Sequence, residues 1–309
     1  MNHSPLPATI AILTAATLFG IAGALAKALF HADISPLALT AIRTLLSCAL
    51  FAGVILAVPR LSFRIKRDAL PLLVAAGLAF TAVNVTFYLA ISLISVAGAI
   101  TLEYTAPFFV LILSFIAGGR RITVADVVIV AASVAGCFML SGDGGAWLQF
   151  SPGVLVGLAC GLSFAIYNML GNACKARDIG ATTVTFYSFF VSSLLWLVAL
   201  PFLDLHEIQF TAQSVWYIAF IVVFATILPY WLLLYGLRQV HALPATVIGM
   251  LDPLTAGVFA YYLLGETLTP ANIIGIVVII VAVCACSPRG RRKRGRRWRI
   301  NSSNPPAAW

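Results

Sequence analysis

The chain is 309 residues long, 61% hydrophobic and only 9% charged, with a formal net charge of +9 and a mean hydropathy of +1.03. Soluble globular domains carry about 25% charged residues, so that class is excluded and an integral membrane protein is implied. Apolar stretches fill the length, with no room for an inserted soluble domain.

A membrane-spanning helix needs about 20 apolar residues. Ten such stretches are predicted, near 8–30, 36–58, 69–91, 95–117, 123–141, 152–173, 181–201, 213–235, 242–264 and 271–287. Proline and glycine punctuate their ends, from Pro36 and Pro59 through Gly118–Gly119 and Pro152 to Pro201 and Pro270. The first stretch follows a short polar start, as a signal peptide would. It lacks a basic leader, ends in Lys27 and runs straight into the next stretch, so it is expected to stay in the membrane. The second carries Arg43, the third Asn84 and Tyr88, and the fourth Glu103, Tyr104 and Pro107. Gly153, Gly157 and Gly161 recur at every fourth residue of the sixth stretch, a spacing that lets another helix backbone approach closely. That stretch also holds Tyr167; the eighth holds Tyr230 and the ninth Asp252, next to Pro253.

The bases divide cleanly between the two sets of loops. With a cytoplasmic N-terminus, Arg60, Arg64, Lys66, Arg67, Arg120, Arg121, Lys175, Arg177 and Arg238 all fall inside. The outer loops hold Asp33, Asp143, Asp204, Glu207 and Glu266 instead, so both termini are predicted to be cytoplasmic. Residues 288–309 form a basic cytoplasmic tail with Lys and Arg from Arg289 to Arg299. Directly after a span, such bases meet anionic lipid headgroups, each contact worth about 1 kcal/mol, which favours a membrane partner over nucleic acid. The cysteines lie in helices or on the inner side and read as packing residues. The histidines are scattered, and no GxxxxGK phosphate loop occurs. No nucleotide, metal or haem cofactor is predicted, and an enzymatic or receptor role is disfavoured.

Two halves of the chain echo each other. Residues 91–140 and 237–286 align without a gap, setting Ala99 against Ala245, Pro107 against Pro253, Thr123 against Thr269 and Ala125 against Ala271. Phe19 falls opposite Phe164 at nearly the same offset. Five spans per repeat force the halves into opposite orientations, the architecture of secondary transporters. The predicted fold class is therefore an all-α membrane protein, with ten transmembrane helices as two inverted five-helix repeats, 1–141 and 152–287, around a central cavity.

Ionisable groups within spans carry the most chemical information, since a charge in lipid costs at least about 2.5 kcal/mol. Lys27 lies near a helix end and can snorkel. Arg43 and Glu103 each lie about seven residues inside the outer end of their helices, roughly 10 Å deep by helix rise. A direct Arg43–Glu103 ion pair is geometrically open to them. So are proton uptake and release at Glu103, and receipt of a substrate carboxylate by Arg43. Asp252 lies near the midplane beside Pro253, which loosens the helix. Asn84, Tyr88, Tyr167 and Tyr230 are deep polar groups that need a partner, either a neighbouring helix or a ligand in a wet cavity.

The ten stretches in two halves, LEYTAPFFVLIL (Leu102 to Leu113), LDPLTAGVFAYYLLGETLTP (Leu251 to Pro270) and the closing NIIGIVVIIVAV resemble EamA-type members of the drug/metabolite transporter superfamily. The resemblance runs over about residues 8–287. One departure is Gly118-Gly119-Arg120, where the second half has Leu264-Gly265-Glu266. The resemblance implies a helical basket around a cavity lined mainly by helices 1, 3, 4, 6, 8 and 9. It also implies alternating-access transport of small metabolites, most often export of amino acids or related compounds across a bacterial inner membrane, with a drug or lipid flippase as the alternative. Carried over by position, the substrate-binding candidates are Asn84, Tyr88, Glu103, Tyr104, Tyr167, Tyr230 and Asp252.

Overall fold

The computed structural model describes residues 6–30, 34–57, 69–93, 96–117, 123–140, 151–203, 211–240, 242–249, 251–252, 255 and 270–286. Among them all regular structure is helical: α1 Leu6–Phe30, α2 Pro36–Ala57, α3 Leu70–Leu93, α4 Val96–Glu103, α5 Ala106–Ile116, α6 Val124–Leu140, α7 Pro152–Ala176, α8 Ala181–Ala199, α9 Ala212–Val222, α10 Leu228–Leu237, α11 Ala242–Gly249 and α12 Pro270–Cys286. A π-helical turn, Val223–Ile227, joins α9 to α10. Among the described residues six segments are long and apolar enough to cross a membrane: Pro36–Val54, Leu70–Ala90, Ala99–Ile116, Pro152–Ala176, Ala181–Phe202 and Ala212–Leu237. The first, fifth and tenth predicted spans correspond to α1, α6 and α12, which contain the apolar stretches Leu6–Ala22, Val124–Gly136 and Ile273–Ala282. Most of the ninth, like the basic tail, lies outside the described residues.

Proline chemistry explains three interruptions that a hydropathy reading passes over. Pro107 has no N–H to give the Glu103 carbonyl, so the predicted fourth span divides into α4 and α5 around Tyr104 and Thr105. Thr105 turns back instead, donating from its backbone N–H (3.1 Å) and its hydroxyl (2.6 Å) to the Leu102 carbonyl. In the second half, α11 stops at Gly249, four residues before Pro253, and Leu251 N–H donates to the Ile248 carbonyl at 3.3 Å. Thr105–Leu102 and Leu251–Ile248 are equivalent pairs in the register that sets Pro107 against Pro253. Pro229 leaves the Ala225 carbonyl without its helical donor. The chain responds with the π turn, in which Leu228 N–H reaches Val223 and Thr226 Oγ1 donates to Ile221 at 2.8 Å.

Contacts between elements come in matched sets. α3 packs on α7 as α1 packs on α10, and α4 packs on α7 as α11 packs on α1. α2 lies against α8, and α6 against α12. Side chains on the outer faces, such as Leu50 and Val54 of α2 and Val277 and Val281 of α12, are exposed aliphatics suited to lipid. Between α3, α7, α8 and α10 an aromatic cluster centres on Phe80, whose ring lies 4.7 Å from Tyr230, 5.0 Å from Phe189 and 5.8 Å from Tyr167. The contacts with Tyr230 and Phe189 are edge-on, a geometry that contributes about 0.5–1.5 kcal/mol each beyond area burial.

The glycine stripe of α7 has a specific partner. A Cβ on Gly157 would lie 2.5 Å from Leu102 Cδ1, and one on Gly161 would lie 2.5 Å from Thr105 Oγ1 and 2.7 Å from the Leu102 carbonyl oxygen. The missing side chains therefore let α7 close directly on the interruption between α4 and α5.

Candidate functional site

A cavity opens at the centre of the bundle. Its walls come from α1 (Ile12, Ala15, Ala16, Phe19, Ala22, Ala26), α2 (Arg43), α3 (Val83, Asn84, Phe87, Tyr88), α4 and the turn after it (Ile100, Glu103, Tyr104), and α7 (Phe164). The second half adds Ile221, Ala225, Tyr230, Leu233, Ala245, Gly249 and Asp252. The cavity offers about 100 Å³ to the centre of a water molecule; one ordered water needs roughly 10–15 Å³ on that measure, so the space suits a compact solute.

Helix geometry places each polar group. On α3, Asn84, Phe87 and Tyr88 are three and four residues apart and share one face. Asn84 Nδ2 donates to the Phe80 carbonyl at 2.7 Å. That leaves Asn84 Oδ1 to accept from Arg43 Nη2, and because a guanidinium only donates, this amide orientation is the one the contact requires. Arg43 also lies over the Tyr88 ring, 5.0 Å from its centroid, a cation–π arrangement. Its Nε is buried with no hydrogen-bond partner among the described residues. Arg43 and Glu103 line the same cavity. The direct Arg43–Glu103 ion pair that equal depth left open is not formed here; Asn84 and Tyr88 partner Arg43 instead. The reason is local: Asn84 sits nearer on α3 and supplies a neutral acceptor, while Glu103 ends α4 at the interruption.

Across the cavity, Tyr104 Oη donates to Asp252 Oδ2. This contact ties the turn after α4 to the turn after α11, so the two proline-driven interruptions meet at the cavity wall. The Asp252 carbonyl accepts from Thr255 Oγ1 at 2.8 Å. Six of the seven predicted residues, Asn84, Tyr88, Glu103, Tyr104, Tyr230 and Asp252, line the cavity together with Arg43. Tyr167 does not. Its ring is buried 6.0 Å from that of Tyr230 and 5.8 Å from that of Phe80, one layer behind the wall.

Phe19 and Phe164 line the cavity too, though polarity and depth did not single them out. Phe19 meets Tyr230 edge-on at 4.9 Å. The available signal was their equivalence between the halves: corresponding positions of two repeats around one cavity face the same space. The alanine wall on α1 left no signal of its own, because alanine is common in any membrane helix.

Comparison with known proteins places the chain among relatives. The sequence pattern of the EamA-like transporter family matches twice, at residues 6–142 and 151–287. The "Threonine/homoserine exporter RhtA" of Escherichia coli (strain K12) is 30% identical over 289 residues, covering 90% of each chain. The "Uncharacterized transporter YwfM" of Bacillus subtilis (strain 168) is 27% identical over 286 residues, 92% of this chain and 94% of its own. A protein of known crystal structure has the same fold, with a TM-score of 0.77 over 93% of this chain and 99% of its own at 18% identity. With its apolar spans and two matched segments around one cavity, the chain is a multi-pass membrane transporter, not an enzyme, and belongs to the EamA-like transporter family.

Proposed function

We propose that the protein is a secondary transporter that exports amino acids or related compounds across a bacterial inner membrane by alternating access. The observation that carries this reading is the cavity whose wall is drawn from both segments matched by the family pattern. The relative RhtA, named for threonine and homoserine export, supports an amino-acid substrate. The matched helix contacts and the equivalent interruptions favour two inverted five-helix repeats, 1–141 and 152–287, rocking about the cavity. Asn84, Tyr88, Glu103, Tyr104, Tyr230 and Asp252 are the substrate contacts in this reading, and Tyr167 supports Tyr230 from behind. Among the described residues two carboxylates and one guanidinium line the cavity, so a proton carried by Glu103 or Asp252 would remove the unmatched charge among them as the site crosses the membrane. That balance supports a proton-coupled export.

The test is flux. Proteoliposomes loaded with labelled amino acids should release at least one of them about tenfold faster than protein-free liposomes, a lowering of the barrier by about 1.4 kcal/mol, and faster still with an opposing proton gradient. No stimulation for any standard amino acid, from protein that still melts cooperatively, would reject the substrate class.

Orientation is tested separately. Asp143 and Arg64 lie outside the described residues, but the distribution of bases puts Asp143 outside and Arg64 inside the cell. In a background without the native cysteines, Asp143→Cys should react with an impermeant thiol reagent on intact cells and Arg64→Cys should not. The opposite labelling would invert the topology.

A further inference from the structure

Resting on the amino-acid reading above, we propose that Arg43 and Glu103 form a two-ended clamp that requires a substrate with both a free carboxylate and a free ammonium. Arg43 is only 8% exposed. Two of its surfaces are already committed, one Nη to Asn84 and one guanidinium face to Tyr88. Its Nε remains without a partner among the described residues. A buried guanidinium N–H left unmatched is costly, and a planar carboxylate is the acceptor whose geometry fits the guanidinium fork. Asn84 and Tyr88 hold the fork in place before the ligand arrives, so little side-chain freedom is lost on binding.

The opposite pole is Glu103. Asp252 already accepts a hydrogen bond from Tyr104, whereas Glu103 lines the cavity on the first half's side together with Arg43. Arg43 and Glu103 line the same cavity without pairing to each other. A small zwitterion would bridge them. Its carboxylate completes Arg43, its ammonium completes Glu103, and the net charge of the cavity stays the same. Phe19, Phe87 and Phe164 supply apolar wall for the rest of the solute. An ester or amide would leave Arg43 unmatched. An N-acylated derivative would leave Glu103 unmatched. Discrimination therefore arises from charges left without partners rather than from the apolar walls.

The experiment measures binding to the full-length purified protein in detergent, by calorimetry and by melting shift, with L-threonine, its methyl ester and its N-acetyl derivative. Wild type should prefer the free amino acid to each derivative by at least about tenfold. Arg43→Gln should erase the preference over the ester while keeping that over the N-acetyl compound, and Glu103→Gln should do the reverse. A side chain with a merely structural role would not separate the two preferences. Equal binding of all three compounds to wild type, or loss of both preferences in both variants, overturns the clamp and leaves amino-acid transport standing. No binding of any free amino acid to wild type overturns the clamp and the amino-acid reading together. If either variant does not fold, Arg43→Lys and Glu103→Asp replace it, and the wild-type comparison alone still decides.

Discussion

Gly161→Leu is expected to destabilise the protein and reduce transport by at least tenfold, while Gly161→Ala costs about 1–3 kcal/mol, the usual range for overpacking a filled site. The reason is the identity of the atoms in the way. A Cβ at Gly161 meets Thr105 Oγ1 at 2.5 Å and the Leu102 carbonyl oxygen at 2.7 Å. The hydroxyl cannot swing aside without abandoning the Leu102 carbonyl it satisfies, and the carbonyl belongs to the backbone. The added atom must therefore push α7 away from the turn that positions Glu103 and Tyr104. Gly53→Ala on α2, where nothing lies within 4 Å, is the control and should melt like wild type. The measurement is detergent melting paired with flux in proteoliposomes. A Gly161→Leu protein as stable and active as wild type would mean that α7 does not hold the interruption in place.

The Tyr104–Asp252 contact should carry a second large effect. Hydrogen bonds to charged groups contribute about 1.5–3 kcal/mol, and the penalty rises when the surviving partner is left buried. Tyr104→Phe removes the donor but keeps the ring, and Asp252→Asn keeps the shape of the acceptor but not its charge. Each single change should lower the melting temperature and slow transport about tenfold or more. The double change should cost less than the sum, leaving a coupling energy of about 1–3 kcal/mol in a double-mutant cycle. Strict additivity would show that the two interruptions stand side by side without acting together. A coupling confined to stability, with each single variant transporting at the wild-type rate, would make the contact a structural tie only.

Much of the site was legible because charge and proline obey one-dimensional rules. A charged Arg43, Glu103 or Asp252 stands out in an apolar run wherever the helix packs, since lipid exposure is so costly. Pro107 and Pro253 mark lost backbone donors before any coordinates exist. The gapless register between residues 91–140 and 237–286 already made these prolines equivalent, and it also set Phe19 nearly opposite Phe164. Equivalent positions of two repeats around one cavity face the same space, and that brings both rings to the site.

By itself the amino-acid sequence determined that the chain lies in the membrane, which residues are too polar to face lipid, and where helices must lose hydrogen bonds. Each of these depends on local composition: hydropathy, charge, or a missing N–H. Tertiary structure alone decided who partners whom. Arg43 found Asn84 and Tyr88 rather than Glu103 because side-chain pairing depends on the distance and rotation between separate helices, which no spacing along the chain encodes. Tyr167 went behind the wall for the same reason: a rotation of α7 about its axis places Phe164 on the cavity and Tyr167 against Phe80. The glycine stripe of α7 was visible in the chain, but that it faces the interruption after α4, and so governs the geometry of the site, follows only from how the helices pack.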